Sequence, residues 1–584
     1  MQECRNKIYS EDYLDYLVEF YPNEVASRDF ANEGCYIQAS NRFAVYYEEG
    51  ESYDANRLAG IKMIPRCYGL ISSEEVLESS GILQVRRQAG LNLLGQGVMI
   101  GFVDTGIDYS HPAFIGSDGK TRILSIWDQT VQNLRAGEHA PEFLDYGAEY
   151  TAEDINRALE SDNPLEIVPS QDDDGHGTFL AGVACGNDMP ESEFSGVAPL
   201  AAICMVKCKE AKQNLRDYYF INSENPCYAE SDIMLAVRYL ASQAAKCNMP
   251  LIICIGLGTN QGGHNSGGVL GGLLQNYGDY RGTVVVTAVG NEANTSHHFQ
   301  SNSLNKGESV EVEVRVGENE YGFMLELWTD ATELYSVGLI SPDGEYSGKT
   351  QARLGEQRRV NFLFAGTIVY IEYLLLSYEN GDECIRMRFR NPTSGIWKIR
   401  VFNELGESRR FDIWLPMRNF IGEQTYFLRA NPDTTICDPG NNVGVITTAF
   451  YNSITRGIAV ESGRGFTREN GIKPDFAAPG INIYGPLPYA GNYPVNEEER
   501  RERARFDFQS GSSQAAAIAA GASALLAEWA FVRGNDISMD TMKAKKYLIR
   551  GADRTGISIP SRTWGNGTLD LYGVFNSLRP PISD

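Results

Sequence analysis

At 584 residues with 42% apolar content, the chain is long enough for two to four domains with large cores, which excludes a small scaffold held by cross-links. Asp and Glu outnumber Lys and Arg by 76 to 51, a formal charge of −25, so the basic footprint of a nucleic-acid binder is missing. The eleven cysteines are odd in number and scattered, with Cys185 and Cys254 inside apolar runs and no CxxC pair, which reads as buried free thiols rather than a disulfide framework or zinc site.

The chain opens with MQECRNKIYSEDYLDYLVEFYPNE, which carries acids where an export signal needs an apolar core. No segment reaches 18 apolar residues, so neither a signal peptide nor a membrane span is expected. An amphipathic stretch at Tyr13 to Tyr21, then FAVYYEE (43–49) and IKMIPRCYGLI (61–71), mark a small helix-and-strand unit over residues 1–72. Ser72 with Glu75 makes a capping box for a short helix, SSEEVLESS.

From Gly97 the pattern changes to short apolar runs that alternate with helical stretches. The runs are VMIGFV (98–103), AAICMV (201–206), LIICIGLG (251–258), TVVVTAVG (283–290) and VGVITTAF (443–450). Between them SDIMLAVRYLASQAAKC (231–247) has helical spacing, with Ser231 as its N-cap. Near-continuous apolar strands separated by helices predict an α/β fold, a parallel sheet covered by helices on both faces. Reactive residues in such sheets sit at the carboxyl ends of the strands, and Asp104 is in that position, directly after VMIGFV.

Residues 303–430 follow another rule. SVEVEVRV (309–316) and IRMRFR (385–390) alternate strictly, SPDG (341–344) is a turn signal, and FMLELW, VNFLF, TIVYIEYLLL, WKIRVF and FDIWLP add further strands. About seven strands without a helix predict an inserted antiparallel β-sandwich, jelly-roll-like, that divides the α/β part into 73–302 and 431–584.

The last feature is FQSGSSQAAAIAAGASALLAEW (508–529), whose alanines and Gly521 suit a helix packed very closely on its neighbours. Ser512 and Ser513 stand at its entry, where unpaired N–H groups and the positive helix end favour an oxyanion. Asp104 in DTGIDYSHP, His176 in DDDGHGTFLAG and Ser513 in SGSSQAAA supply an acid, an imidazole and an alcohol in the chain order Asp, His, Ser.

These three segments resemble the signature segments of subtilases, the subtilisin-like serine peptidases. AVGNEAN (288–294), Gly256-Leu257-Gly258 and KPDFAAPG (473–480) resemble further segments of that family. The resemblance implies Ser513 as nucleophile, His176 as proton acceptor and donor, Asp104 as its orienting carboxylate and Asn291 as oxyanion donor. It also implies that Gly256, Leu257 and Gly258 pair with substrate backbone and that Glu292 lines the pocket for the residue before the cut. Two residues depart from the family pattern: Ser512 replaces a threonine, and Ala517 replaces a proline and so regains a backbone N–H.

The β-rich insert and small N-terminal unit look most like the Csp-type subtilases of clostridia. That resemblance implies that residues 1–72 are a prodomain acting as intramolecular partner, cut from the rest somewhere in 66–82. It further implies a polypeptide substrate, with activation of a zymogen in spore germination and a spore or cytoplasmic setting. No cofactor is expected, since carboxylates alone do not define a calcium cage. Two other readings stay open: a catalytically silent binding module on the same scaffold, and a recognition role for the insert.

Overall fold

The computed structural model describes residues 2–19, 35–50, 52–53, 62–70, 79–222, 224–377, 380–405, 409–489 and 496–579. The five apolar runs of the sequence become five adjacent parallel strands, in the order Ile446–Asn452, Thr283–Ala288, Leu251–Ile255, Met99–Asp104 and Ala202–Lys207. Ile123–Asp128 and Phe476–Pro479 extend the sheet in parallel, and Ala148–Thr151 and Gly457–Ile458 close it with antiparallel pairings.

These strands lack alternation because both of their faces are buried. Ile252 and Cys254 enter one apolar core with Ile100, Phe102, Val284 and Val286, while Leu251, Ile253 and Ile255 enter a second with Met99, Val103 and Val285. Helices His176–Cys185 and Ser512–Ala527 cover the first face, and Glu230–Cys247 and Val269–Gly278 cover the other.

Every residue of the helix Ser512–Ala527 is buried, so its polar and apolar positions show no amphipathic division. Its small side chains permit the approach: a Cβ at Gly521 would lie 2.5 Å from Val197 Cβ and 2.8 Å from the Ala184 carbonyl, at the end of the His176 helix. Among the described residues, Ser512–Val532 is the one stretch long and apolar enough to span a membrane, yet 83% of its apolar window is buried inside the protein. The helix runs through Ala517 without a break, so the missing proline is accommodated as ordinary helix.

The helix expected to be capped by Ser231 starts two residues earlier, at Glu230. Ala229 occupies its N-cap without a side-chain bond, because Tyr228–Ala229 is held as a strand and Glu230 turns its carboxylate to two other backbone N–H groups. The Ser231 hydroxyl reaches Asp15 instead, at 3.5 Å.

Between Thr283–Ala288 and Ile446–Asn452 the chain makes two antiparallel sheets of six and five strands. Val312, Val314 and Val316 from one and Ile385, Met387 and Phe389 from the other meet in a shared apolar core, as the alternation of 309–316 and 385–390 requires. The outward residues of the second strand are used as well: Arg388 donates to the Tyr218 carbonyl at 2.9 Å and stacks on the Tyr218 ring, fastening this region to the α/β body.

The N-terminal unit has a helix, Gln2–Tyr9, and a four-stranded antiparallel sheet ordered Cys35–Gln38, Phe43–Glu49, Tyr13–Glu19, Lys62–Met63. It is moored through Lys212, which donates to Asp15 at 2.6 Å, and through the Tyr9 hydroxyl, which donates to the Gln129 carbonyl at 2.7 Å. The helix expected at 72–80 falls largely at 71–78, outside the described residues. Among the described residues nine cysteines are free thiols, all buried except Cys247, but Cys35 is disulfide-bonded, a cross-link that composition alone does not foretell.

The contact at Gly521 gives a direct test. Gly521→Ala is expected to lower the free energy of unfolding by about 1–3 kcal/mol, read from urea denaturation, because the added methyl meets backbone and a β-branched side chain that cannot move aside.

Candidate active site

Asp104 ends the strand Met99–Asp104 and sits beneath the first turn of the His176 helix. The approach depends on glycine, since a Cβ at Gly177 would lie 2.2 Å from the Gly106 carbonyl oxygen. His176 Nδ1 and Asp104 Oδ1 are 2.7 Å apart, and both side chains are nearly sealed from solvent at 3% and 1% exposure. A carboxylate at that distance fixes the proton of the neutral imidazole on Nδ1 and leaves Nε2 as the basic edge.

Asp172 organises the turn around this pair. Its carboxylate accepts from the N–H of Gly175 at 2.9 Å, the N–H of Thr178 at 2.8 Å and the hydroxyls of Thr105 and Thr178 at 2.7 and 2.6 Å. Thr105 in turn accepts from Gly177 N–H at 2.9 Å, and its own N–H donates to Asp104 Oδ1 at 2.8 Å. One buried acid thus caps the helix and ties the Asp104 loop to it. It belongs to the run of three aspartates before Gly175, which the sequence alone does not resolve into roles.

Ser513 lies in the first turn of its helix, and its hydroxyl donates to the Gly256 carbonyl at 3.0 Å. A Cβ built on Gly256 would lie 3.2 Å from Ser513 Oγ and 3.1 Å from His176 Cε1, so alcohol and imidazole converge on one point above this glycine. Beside them Asn291 Oδ1 accepts from Ser512 N–H at 3.2 Å, which fixes its amide plane and leaves Nδ2 without a partner among the described residues. Ser512, in the place of the usual threonine, keeps the hydroxyl in use by accepting from Gly290 N–H at 3.1 Å.

The strand edge alongside is paired with another part of the chain itself. Cys67–Leu70 forms the middle strand of a three-stranded antiparallel sheet, with Leu70 opposite Leu257 and Gly69 opposite Gly258 on one side. On the other side Tyr68 pairs with Tyr228 and Cys67 with Ala229. Tyr228–Ala229 escapes sequence reasoning because two residues carry no periodicity.

Glu292 does not open onto a pocket as the resemblance suggests. It is 2% exposed, and its carboxylate accepts from Asn260 Nδ2 and from the N–H of Arg418, both at 3.2 Å, with His297 3.4 Å away. It therefore locks the Asn291 turn against the segment that returns from the antiparallel region.

Other histidines do not reproduce this arrangement. His298 also faces a carboxylate, Asp412 at 3.0 Å, but its second nitrogen is spent on the Asn431 carbonyl and its ring is stacked on Trp414. Burial pushes His111 and His264 down to about 3, which keeps them neutral.

The sequence profile described as Subtilase family matches residues 95–319 and 421–567, leaving the antiparallel region between the two blocks. The structure of the CspB protease of Clostridium perfringens superposes with a TM-score of 0.73 at 31% identity, covering 85% of this chain and 96% of that one. Thermitase of Thermoactinomyces vulgaris is 25% identical over 263 residues, 44% of this chain and 71% of its own length. Subtilisin-like protease SBT2.2 of Arabidopsis thaliana is 32% identical over 139 residues, and the chain spans only 16% of that relative's length.

The cap formed by Asp172 is open to test. Asp172→Ala leaves four buried donors without their acceptor and is expected to cost about 2–4 kcal/mol in unfolding free energy, with faster amide exchange at Gly175 to Thr178; unchanged exchange there would contradict the role given to this residue.

Proposed function

Because this chain belongs to the subtilase family and brings Ser513 and His176 together over Gly256, we propose that it is a serine endopeptidase working through Ser513, His176 and Asp104. The observation that carries the reading is the buried His176–Asp104 pair at 2.7 Å, which prepares Nε2 to take a proton on the side where Ser513 stands. Ser513 Oγ turns from the Gly256 carbonyl to His176, gives up its proton to Nε2 and attacks the scissile carbonyl. His176, now an imidazolium stabilised by Asp104, delivers that proton to the departing amine. Water then enters, loses a proton to His176 and releases the acyl group from Ser513.

The oxyanion formed at each addition is held by the Ser513 N–H at the helix entry and by Asn291 Nδ2. A donor of this kind is worth about 100- to 1,000-fold in rate. The steps use side chains and backbone of this chain alone.

In this reading residues 1–72 are a prodomain, 73–302 and 431–584 are the catalytic part, and 303–430 are an inserted β-sandwich that braces it. The register supports the first assignment, because an antiparallel strand lying on Leu257 and Gly258 follows the path of a substrate. Counting on from Leu70 gives Ile71–Ser72 as the bond to be cut, within the expected window. The likeness to the CspB protease extends the proposal to a Csp-type role, activation of a protein zymogen in germination.

Mass spectrometry of the purified parent and of Ser513→Ala tests this reading. The parent is expected to yield an N-terminal fragment ending at Ile71, and the variant to remain whole. An uncut parent whose Ser513 also fails to react with a fluorophosphonate would leave the scaffold as a silent binding module. In the active protein, Asn291→Ala is expected to lower kcat by about 100- to 1,000-fold with KM little changed.

A further inference from the structure

Just before the strand Cys67–Leu70, Arg66 turns its side chain into the α/β body and is 5% exposed. Its Nη1 donates to Asp438 Oδ2 at 3.3 Å, and Asp438 is held in turn by Asn441 Nδ2 at 3.0 Å on its other oxygen. Its backbone is gripped as firmly: Arg66 N–H donates to Glu230 Oε2 at 3.1 Å, and the Arg66 carbonyl accepts from Glu230 N–H at 2.8 Å. A Cβ at Gly262 would lie 2.7 Å from the guanidinium carbon, and one at Gly268 would lie 2.9 Å from Nη1. Glycine at both positions therefore leaves the room that the guanidinium occupies, a slot that a side chain at either would narrow.

The charges around the slot suit a cation. Glu326 lies behind Gly262, accepting its N–H at 2.8 Å, and although burial pushes its carboxyl up, Arg386 and Arg66 together hold it below the usual range. Arg386 already engages Glu326 at 2.9 Å, so the second cation, Arg66, has Asp438 as its own carboxylate partner at 3.3 Å, while Glu230 holds its backbone. A cavity of about 320 Å³ adjoins the slot, lined by Arg66, Glu230, Glu326 and Arg386 among others.

Asp438, Glu230, Gly262 and Gly268 lie outside residues 1–72 and remain whatever polypeptide lies beside Gly258, whereas Lys62, Met63 and Ile64 of the N-terminal unit line the adjoining cavity. Accepting the peptidase reading above, we propose that Asp438, Glu230, Gly262 and Gly268 form an arginine subsite. It takes the guanidinium of the substrate residue three positions before the one paired with Gly258, the position that Arg66 holds here. A planar fork fits against both glycines and reaches Asp438, whereas an ammonium is a point charge with less reach across the slot.

The first test uses the uncut full chain, Ser513→Ala, and needs no catalysis. Arg66→Gln and, separately, Asp438→Asn in that background are expected to speed amide exchange at Cys67–Leu70 by at least about 10-fold, the equivalent of one charge-assisted hydrogen bond, with Arg66→Lys between them and the parent. Exchange at Tyr13–Glu19 should stay as in the parent, which separates loss of the anchor from loss of the fold. Equal exchange in all four chains overturns the proposal.

The second test gives the processed protein two fluorogenic peptides of residues 61–73, one with Arg and one with Gln at position 66. A kcat/KM at least about 10-fold higher for the Arg peptide, collapsing toward unity in Asp438→Asn, is the expected result. Equal hydrolysis of the two peptides by the parent would confine the slot to its own chain and overturn substrate selection. Absence of any hydrolysis is a failure of the peptidase reading, and the exchange result still decides whether the slot binds arginine.

Discussion

The architecture depends on how closely two helix ends and one strand end can approach each other. Asp104 must lie under His176, and His176 must lie over the same glycine as Ser513, which brings backbone against backbone at Gly177 and three side chains against backbone at Gly256. Side chains of ordinary size would hold these elements apart. The interior is therefore rich in alanine and glycine where the helix Ser512–Ala527 meets the sheet and the His176 helix, with branched residues such as Leu180 and Val197 packed into the space these leave. The cost is a sequence with little tolerance for added volume at those points.

A second constraint follows from the first. Burying an acid and an imidazole together is costly unless every neighbouring donor is arranged, and Asp172, Thr105 and Thr178 supply that arrangement from one turn. On the other flank Glu292 and Arg418 hold the Asn291 turn against the chain that returns from the antiparallel region. The long insertion is thus joined to the site by polar contacts behind Asn291. The N-terminal unit is coupled more directly, as a strand completing a sheet whose two other members belong to the body.

Much of this was legible in the sequence, for identifiable physical reasons. The parallel strands announce themselves because burial on both faces demands continuous apolar runs, and the antiparallel strands because one buried face demands alternation, as in Ser309–Val316. Asp104, His176, Asn291 and Ser513 are found where motif spacing puts them, close together in space. What stayed hidden depends on tertiary contact. Tyr228–Ala229 is too short to carry a pattern, Glu292 faces inward because Arg418 arrives from far along the chain, and the start of Glu230–Cys247 is set by pairing with Arg66 rather than by the best local cap. Cys35 gives no local sign of its disulfide.

The central claim is that a buried, carboxylate-bound imidazole activates Ser513. The most direct measurement is the rate at which a fluorophosphonate labels Ser513 in the parent and in Asp104→Asn, followed by peptide mapping. Labelling confined to Ser513, and slowed by about 1,000-fold or more when the carboxylate becomes an amide, is the result predicted. Labelling at the same rate in both proteins, or at some other serine, would contradict it.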